Sequence, residues 1–374
     1  MYEIQQNVNN MKDHNQVEHV GDASLTLDNP VWTALITPFR EDGSVHIKDL
    51  IGLVRRQDGA GNGILLFGST GEGLALSTRE KREILEEVGT LSLRVPLMVG
   101  VGGSQLETQL EWIEHCNAGP ANAFLLVAPP YAKPGEAGMV HWFRALMDRS
   151  EYPCMIYNIP SRSGVKITPS VLNQLADHPN CWAVKEASGS IRDYCEFTKR
   201  VPGVTFYAGD DGMFPFFSRV GTKGVVSVAS NIWPLQTRMF VEACFRYASV
   251  PDFHEWNESI TALFTAPNPI PVKAMMKIKG LLESDRLRLP LSREDMHAED
   301  MKRLQRADAA MKQWLFRDRV DGRTGGPGLS EYTHSGETGS GEAGSGEHMH
   351  SGENRSRASS SIEPKTVGSM EEDQ

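Results

Sequence analysis

The sequence predicts an α/β fold: eight strand–helix units closing into a (β/α)8 barrel, followed by a small C-terminal helical subdomain. Three observations predict it. Short apolar runs recur eight times, at residues 32–36, 63–67, 96–101, 123–128, 154–157, 182–185, 204–208 and 224–228. Amphipathic stretches with helical spacing separate them. Glycine-rich turns follow the second, third and seventh runs, at Gly68-Ser69-Thr70-Gly71, Gly100-Val101-Gly102-Gly103 and Gly209-Asp210-Asp211-Gly212. Turns after strands are where a barrel builds its active site. Alternation alone also fits an open, doubly wound sheet; the turns favour the closed barrel.

Taken in order, residues 1–28 are polar and are expected to form a flexible N-terminal arm. The barrel is assigned to residues 29–250. Its first helix, 47–56, places Ile47, Leu50, Ile51 and Val54 on one face. The second, 78–88, starts at a cap, Ser77 or Thr78, and carries Ile84, Leu85 and Val88. Further helices are expected at 105–116, 137–147, 169–175, 191–200, 212–220 and 234–247. Residues 251–319 form the helical subdomain, with helices at 254–264, 271–282 and 293–317. From Gly322 the composition falls to Gly, Ser, Glu and His, and Ser-Gly-Glu recurs at 335–337, 340–342, 345–347 and 351–353. Such a tail, residues 320–374, lacks the apolar surface to order itself. His334, His348 and His350 within it are either weak metal ligands or simply solvated.

Charge and composition exclude several classes. The net charge is −10, which argues against nucleic acid or an acidic membrane as partner. Nine acidic and three basic residues lie from Pro327 onward, a net of −6, which leaves −4 for the rest of the chain. The five cysteines are Cys116, Cys154, Cys181, Cys195 and Cys244, with no CxxC pair. They read as reduced thiols in a reducing compartment. No apolar run has bilayer length, and the N-terminus lacks a basic region followed by an apolar one. A cytoplasmic protein is expected. There is no Walker A sequence, no full dinucleotide fingerprint, no HExxH and no EF-hand loop. Nothing calls for a metal or an organic cofactor.

The residues that carry chemistry cluster at strand ends. Lys185 closes the run Trp182-Ala183-Val184 and precedes Glu186-Ala187-Ser188-Gly189. It is either a strand-end lysine that snorkels to water or an interior amine. Burial disfavours the charged form of an interior amine, and a neutral lysine attacks a ketone. Tyr157 ends the preceding strand. Period-2 alternation puts Met155 with Tyr157 and Ala183 with Lys185, so two inward faces would make the phenol and the amine neighbours. A phenol there could shuttle protons during carbinolamine formation and dehydration; alone it also reads as a core or rim tyrosine. Ser69 and Thr70 fit a carboxylate cradle or a plain tight turn. Arg162, in the loop after strand 5, fits bidentate carboxylate capture or a solvated position. Asp210-Asp211 reads as a cation site or as a helix cap.

These residues jointly resemble a known family. The matching motifs are Gly68-Ser69-Thr70-Gly71-Glu72, Pro129-Pro130-Tyr131-Ala132-Lys133-Pro134, the stretch from Tyr157 to Gly164 (Tyr-Asn-Ile-Pro-Ser-Arg-Ser-Gly), Val184-Lys185-Glu186-Ala187, Gly209-Asp210-Asp211, Pro267-Asn268-Pro269-Ile270-Pro271-Val272-Lys273 and Leu287-Arg288-Leu289-Pro290. Between about Asn29 and Trp314 the chain resembles the dihydrodipicolinate synthase / N-acetylneuraminate lyase family, class I aldolases on a TIM barrel. The resemblance implies a homotetramer built as a dimer of dimers. It also implies that Lys185 forms a Schiff base with pyruvate and that Tyr157 shuttles protons. Ser69 would stand in for the hydroxyl linking Tyr157 to Tyr131, which reaches into the neighbouring subunit's site. The backbone near Val226 and the Ser69-Thr70 turn would hold the pyruvate carboxylate.

Arg162 points within the family to the synthase branch, where this arginine takes the carboxylate of L-aspartate 4-semialdehyde. The expected product is 4-hydroxy-tetrahydrodipicolinate, in lysine and diaminopimelate biosynthesis. The Pro-Asn-Pro-Ile-Pro-Val-Lys stretch is also synthase-like. Two alternatives remain: a sialic- or sugar-acid lyase of the same family, and a non-catalytic binding member. The chain departs from the synthase pattern at Ser69, where threonine is usual, and at Pro130, where lysine-inhibited members carry tyrosine. The positions matching the family's lysine effector site read Gly73, Leu74, Thr78, Lys81, Ser104 and Thr108. A cation at Lys81 implies weak or absent feedback by lysine.

Overall fold

A computed structural model describes residues 26–247, 250 and 252–320, with side chains to Trp314. Most of the expected N-terminal arm and nearly all of the tail, with His334, His348 and His350, lie outside the described residues. The eight apolar runs are eight parallel strands: β1 Val31–Ala34, β2 Gly63–Leu66, β3 Leu97–Val101, β4 Ala123–Val127, β5 Cys154–Asn158, β6 Cys181–Glu186, β7 Thr205–Ala208 and β8 Gly224–Ser227. They pair in chain order, and β8 pairs back to β1 through Trp32 and Val226, so the sheet closes. The open-sheet alternative is thereby excluded.

Closure explains why the runs are apolar without a break. Each strand is buried on both faces. One set of side chains fills the barrel: Ala34, Leu65, Met98, Leu125, Met155, Ala183, Tyr207 and Val226. The alternating set, including Ile64, Leu66, Val99, Phe124, Ile156, Val184 and Phe206, packs outward beneath the helices. Leu27, Trp32 and Trp182 close the N-terminal end of the barrel, and Tyr207 donates its hydroxyl to the Leu27 carbonyl at 3.4 Å.

The helices follow their amphipathic patterns. Helix α1 spans Ile47–Ala60 and ends at Gly61, whose φ of 73° suits a residue without a Cβ. Helix α2, Thr78–Gly89, is capped by Ser77 in a reciprocal capping box with Glu80. Helices Leu106–Asn117 (α3) and Glu136–Arg149 (α4) complete the first half. A four-residue helix not expected from sequence, α5 at Pro160–Ser163, precedes α6 at Pro169–Leu175. Helix α7 covers Ile191–Arg200.

The helix expected at 212–220 is only Phe214–Phe217, α8. Its continuation is tightened into i→i+3 bonds from Arg219 and Val220 to Phe216 and Phe217 before Gly221 turns left-handed. Helix α9, Pro234–Arg246, ends the barrel.

The C-terminal helices are α10 Phe253–Leu263, α11 Ile270–Ile278 and α12 Ala298–Val320. They are stapled to the barrel by aromatics. Trp256 stacks on Phe240 of α9 with ring centroids 4.0 Å apart, and its indole donates to the Asp211 carbonyl at 3.1 Å. The Trp233 indole donates to Asp308 at 2.9 Å. No helix among the described residues is long and apolar enough to cross a membrane.

Candidate active site

The site forms where β5 and β6 leave the barrel. Tyr157 and Lys185 are partners in the strand register. Both side chains point inward, and the lysine Nζ lies 4.2 Å from the centroid of the tyrosine ring. Lys185 is 5% exposed and Tyr157 8%. No ion pair joins Lys185 to a carboxylate among the described residues, so the amine is buried beside a phenol and not a counter-ion. Room for it comes from Gly209 at the end of β7. A Cβ there would stand 3.0 Å from Lys185 Cε and 2.6 Å from Ala187 Cβ.

In front of this pair lies a cavity of about 350 Å³ at the C-terminal mouth. Tyr157, Ser69 and Arg162 line it together, with Gly100, Gly102, Leu125 and Val127 as its apolar wall. Three of the residues singled out in the sequence therefore share one cavity. Lys185 is not among the lining residues; its Nζ lies over the ring of Tyr157, which is. Val226 is buried in the barrel interior on β8. Tyr131 stands apart, 96% exposed with a φ of 71°, in the loop after β4. Thr70 is turned away from the cavity lining: it is 3% exposed, and its hydroxyl accepts from Asn268 Nδ2 at 2.9 Å.

That bond begins a brace between the helical subdomain and the Ser69-Thr70 turn. Two residues beyond Thr70, Glu72 accepts from Lys273 Nζ at 2.5 Å, and both side chains are fully enclosed. The second carboxylate oxygen accepts from the Arg288 backbone amide at 2.8 Å. Lys273 also donates to the Arg286 carbonyl at 3.0 Å and lies 4.1 Å over the Phe39 ring. Burial pulls the Lys273 amine down to about 8, with Glu72 pulling the other way. The Pro267–Lys273 and Leu287–Pro290 motifs thus hold the turn after β2 from behind.

The two adjacent aspartates divide their work. Asp210 accepts from the amides of Gly212 and Met213 at 2.8 and 3.1 Å, the capping geometry. Asp211 is 1% exposed, and one of its oxygens accepts from the amides of Val228 and Ala229 at 2.8 and 3.1 Å. Burial raises its carboxyl to about 6. It pins the chain just past β8, two residues beyond Val226. The cap at Asp210 is one of the two readings that the sequence offered; the other supports escaped it, because their contacts run between residues up to 216 positions apart.

The fold is that of the barrel enzymes, with its chemistry-bearing side chains at the C-terminal mouth. The chain belongs to the dihydrodipicolinate synthetase family, whose model matches residues 29–307. A relative from Francisella philomiragia, named 4-hydroxy-tetrahydrodipicolinate synthase, is 44% identical over 78% of this chain and 99% of its own. Another of that name, from Wolbachia pipientis of Culex pipiens, is 38% identical over 76% of this chain and 96% of its own. Among solved structures, dihydrodipicolinate synthase from Bacillus anthracis is similar with a TM-score of 0.70 and 29% identity, covering 75% of this chain and 97% of that one. The Acinetobacter baumannii enzyme, solved with pyruvate, gives 0.70 and 27%, covering 76% and 99%.

Proposed function

We propose that this chain condenses pyruvate with L-aspartate 4-semialdehyde to 4-hydroxy-tetrahydrodipicolinate, through a Schiff base on Lys185. The observation that carries the reading is the in-register pair of Tyr157 and Lys185 beside the cavity that Arg162 also lines. The neutral amine attacks the ketone carbon of pyruvate, and the carbinolamine loses water to give the imine. Tyr157 moves the protons these steps require, with Ser69 and Tyr131 as its relay. Loss of a methyl proton gives the enamine, whose carbon attacks the aldehyde and forms the new C–C bond. The amine of the product then displaces Lys185 and closes the ring, which returns the free lysine. Arg162 holds the carboxylate of the aldehyde substrate. The Ser69-Thr70 turn and the backbone near Val226 hold that of pyruvate.

Tyr131 has no place in its own chain's cavity. A homotetramer built as a dimer of dimers, in which it enters the neighbouring site, is part of the proposal, as is a cytoplasmic location. A coupled assay tests the reaction: pyruvate and aspartate semialdehyde, followed by the reductase that consumes the product. Turnover is expected. Cleavage of sialic or sugar acids to pyruvate, with no condensation, would place the chain in the lyase branch instead.

Feedback by lysine is expected to be weak. Lys81, at a position matching the family's effector site, lies 5.8 Å over the Trp112 ring, and its charge opposes a second ammonium there. The related enzyme from Cyanidioschyzon merolae, 28% identical with a TM-score of 0.71, was solved with lysine bound. Purified protein assayed against lysine should keep most of its rate at millimolar lysine; strong inhibition would overturn this point.

A further inference from the structure

Tyr157 and Lys185 are each followed by a buried polar residue that points the other way. Asn158 and Glu186 are both 0% exposed and lie on the outer face of the barrel wall. Alternation sends their side chains outward where those of Tyr157 and Lys185 go inward. The two are also register partners. Asn158 Nδ2 donates to Glu186 Oε2 at 2.6 Å. The other carboxylate oxygen, Oε1, accepts from the Ser188 amide at 2.7 Å. Asn158 Oδ1 accepts from the Ile167 amide at 3.0 Å. The main chain repeats the link, with the Ala187 amide donating to the Asn158 carbonyl at 2.9 Å.

Every bond in this network reaches a part of the site. One joins β5 to β6 directly behind the tyrosine–lysine pair. The Ile167 bond fixes the far end of the segment 159–167, which contains α5 and Arg162. The Ser188 bond holds the turn after Lys185. An outward polar pair is costly at this depth unless every partner is present, and an apolar pair would pack the wall as well. Packing alone therefore does not account for it. Burial raises the Glu186 carboxyl above its ordinary value, while the hydrogen bonds from Asn158 and Ser188 pull the other way.

We propose that Asn158 and Glu186 are positioning residues. Their hydrogen-bonded clamp sets the register of Tyr157 against Lys185 and anchors the loop that presents Arg162. The proposal rests on the reading of Lys185 and Tyr157 as the reacting pair. It goes beyond that reading by assigning the geometry of the pair to two side chains that never meet the substrate.

The clamp has a donor–acceptor polarity that substitutions can reverse. Glu186→Gln leaves the shape but sets a second amide donor against either Asn158 or the Ser188 amide. Asn158→Asp sets two carboxylates face to face. The double variant restores every bond. The carboxylate introduced on β5 accepts from the amide introduced on β6 and from Ile167, and the carbonyl of that new amide accepts from Ser188. Only the position of the charge differs.

The experiment measures condensation rate, KM for each substrate, borohydride trapping of pyruvate and melting temperature for native protein, both single variants and the double variant. Each single variant is expected to lose about 100-fold in rate, the scale of a small misplacement of reacting groups, and to raise KM for the aldehyde. The double variant should return to within about tenfold of native. Single variants with native rates, or a folded double variant no faster than the singles, would overturn the clamp. If the singles do not fold, the double variant is compared with native alone, and a folded double variant slower by about 100-fold overturns it equally. Failure of native protein to trap pyruvate on Lys185 is a different result and refutes the underlying reading.

Discussion

Arg162 shows how far one residue can be read. From sequence it is a loop arginine. In the structure it lines the same cavity as Tyr157 and Ser69, on a four-residue helix ended by Gly164 at φ 75°. Its proposed role predicts a split. Arg162→Ala should lower kcat/KM for the aldehyde by roughly tenfold to a hundredfold, the value of a hydrogen bond to a charged group. Pyruvate trapping on Lys185 should be unchanged. Equal loss in both measurements would mean that Arg162 supports the site as a whole and does not select the second substrate. The inward direction of Lys185 was legible because strand alternation is strict and Ala183 shares its face. The exposure of Tyr131 and the turning of Thr70 towards Asn268 were not. Both depend on backbone geometry in loops, which leaves no periodic trace.

At the scale of elements, the strands were legible because a closed barrel buries both faces of each one, so eight apolar runs announce eight strands. Helix bounds followed from caps where caps exist, as at Ser77. Helix α5 escaped because four residues starting at a proline show no periodicity, and α8 is shorter than expected because its last turn tightens before Gly221. The brace behind the turn after β2 was visible only as a motif without a purpose. The structure gives it one: Lys273 on α11 neutralises Glu72 in a fully enclosed site. Breaking such a pair strands a buried charge. Lys273→Met should therefore cost roughly 3–5 kcal/mol of stability by urea unfolding, and should slow condensation through the Ser69 turn. A cost below about 1 kcal/mol would show that Glu72 finds another partner or a proton.

Across the whole molecule, the proposed division of labour is between a mouth that carries chemistry and a rim that fixes it. Lys185, Tyr157, Ser69 and Arg162 come from three βα units. The supports come from further off: α11 holds the turn after β2, Asp211 holds the chain after β8, and Trp256 ties α10 back to Asp211. This layout predicts that losing the helical subdomain would disable the site without touching a reacting group. The central claim is narrower: Lys185 is the nucleophile. Native protein incubated with pyruvate and reduced with borohydride, then digested and analysed by mass, measures this directly. The account predicts one reduced pyruvyl adduct, on Lys185, absent from a folded Lys185→Ala variant. No adduct, or an adduct on another lysine that persists in that variant, would contradict it.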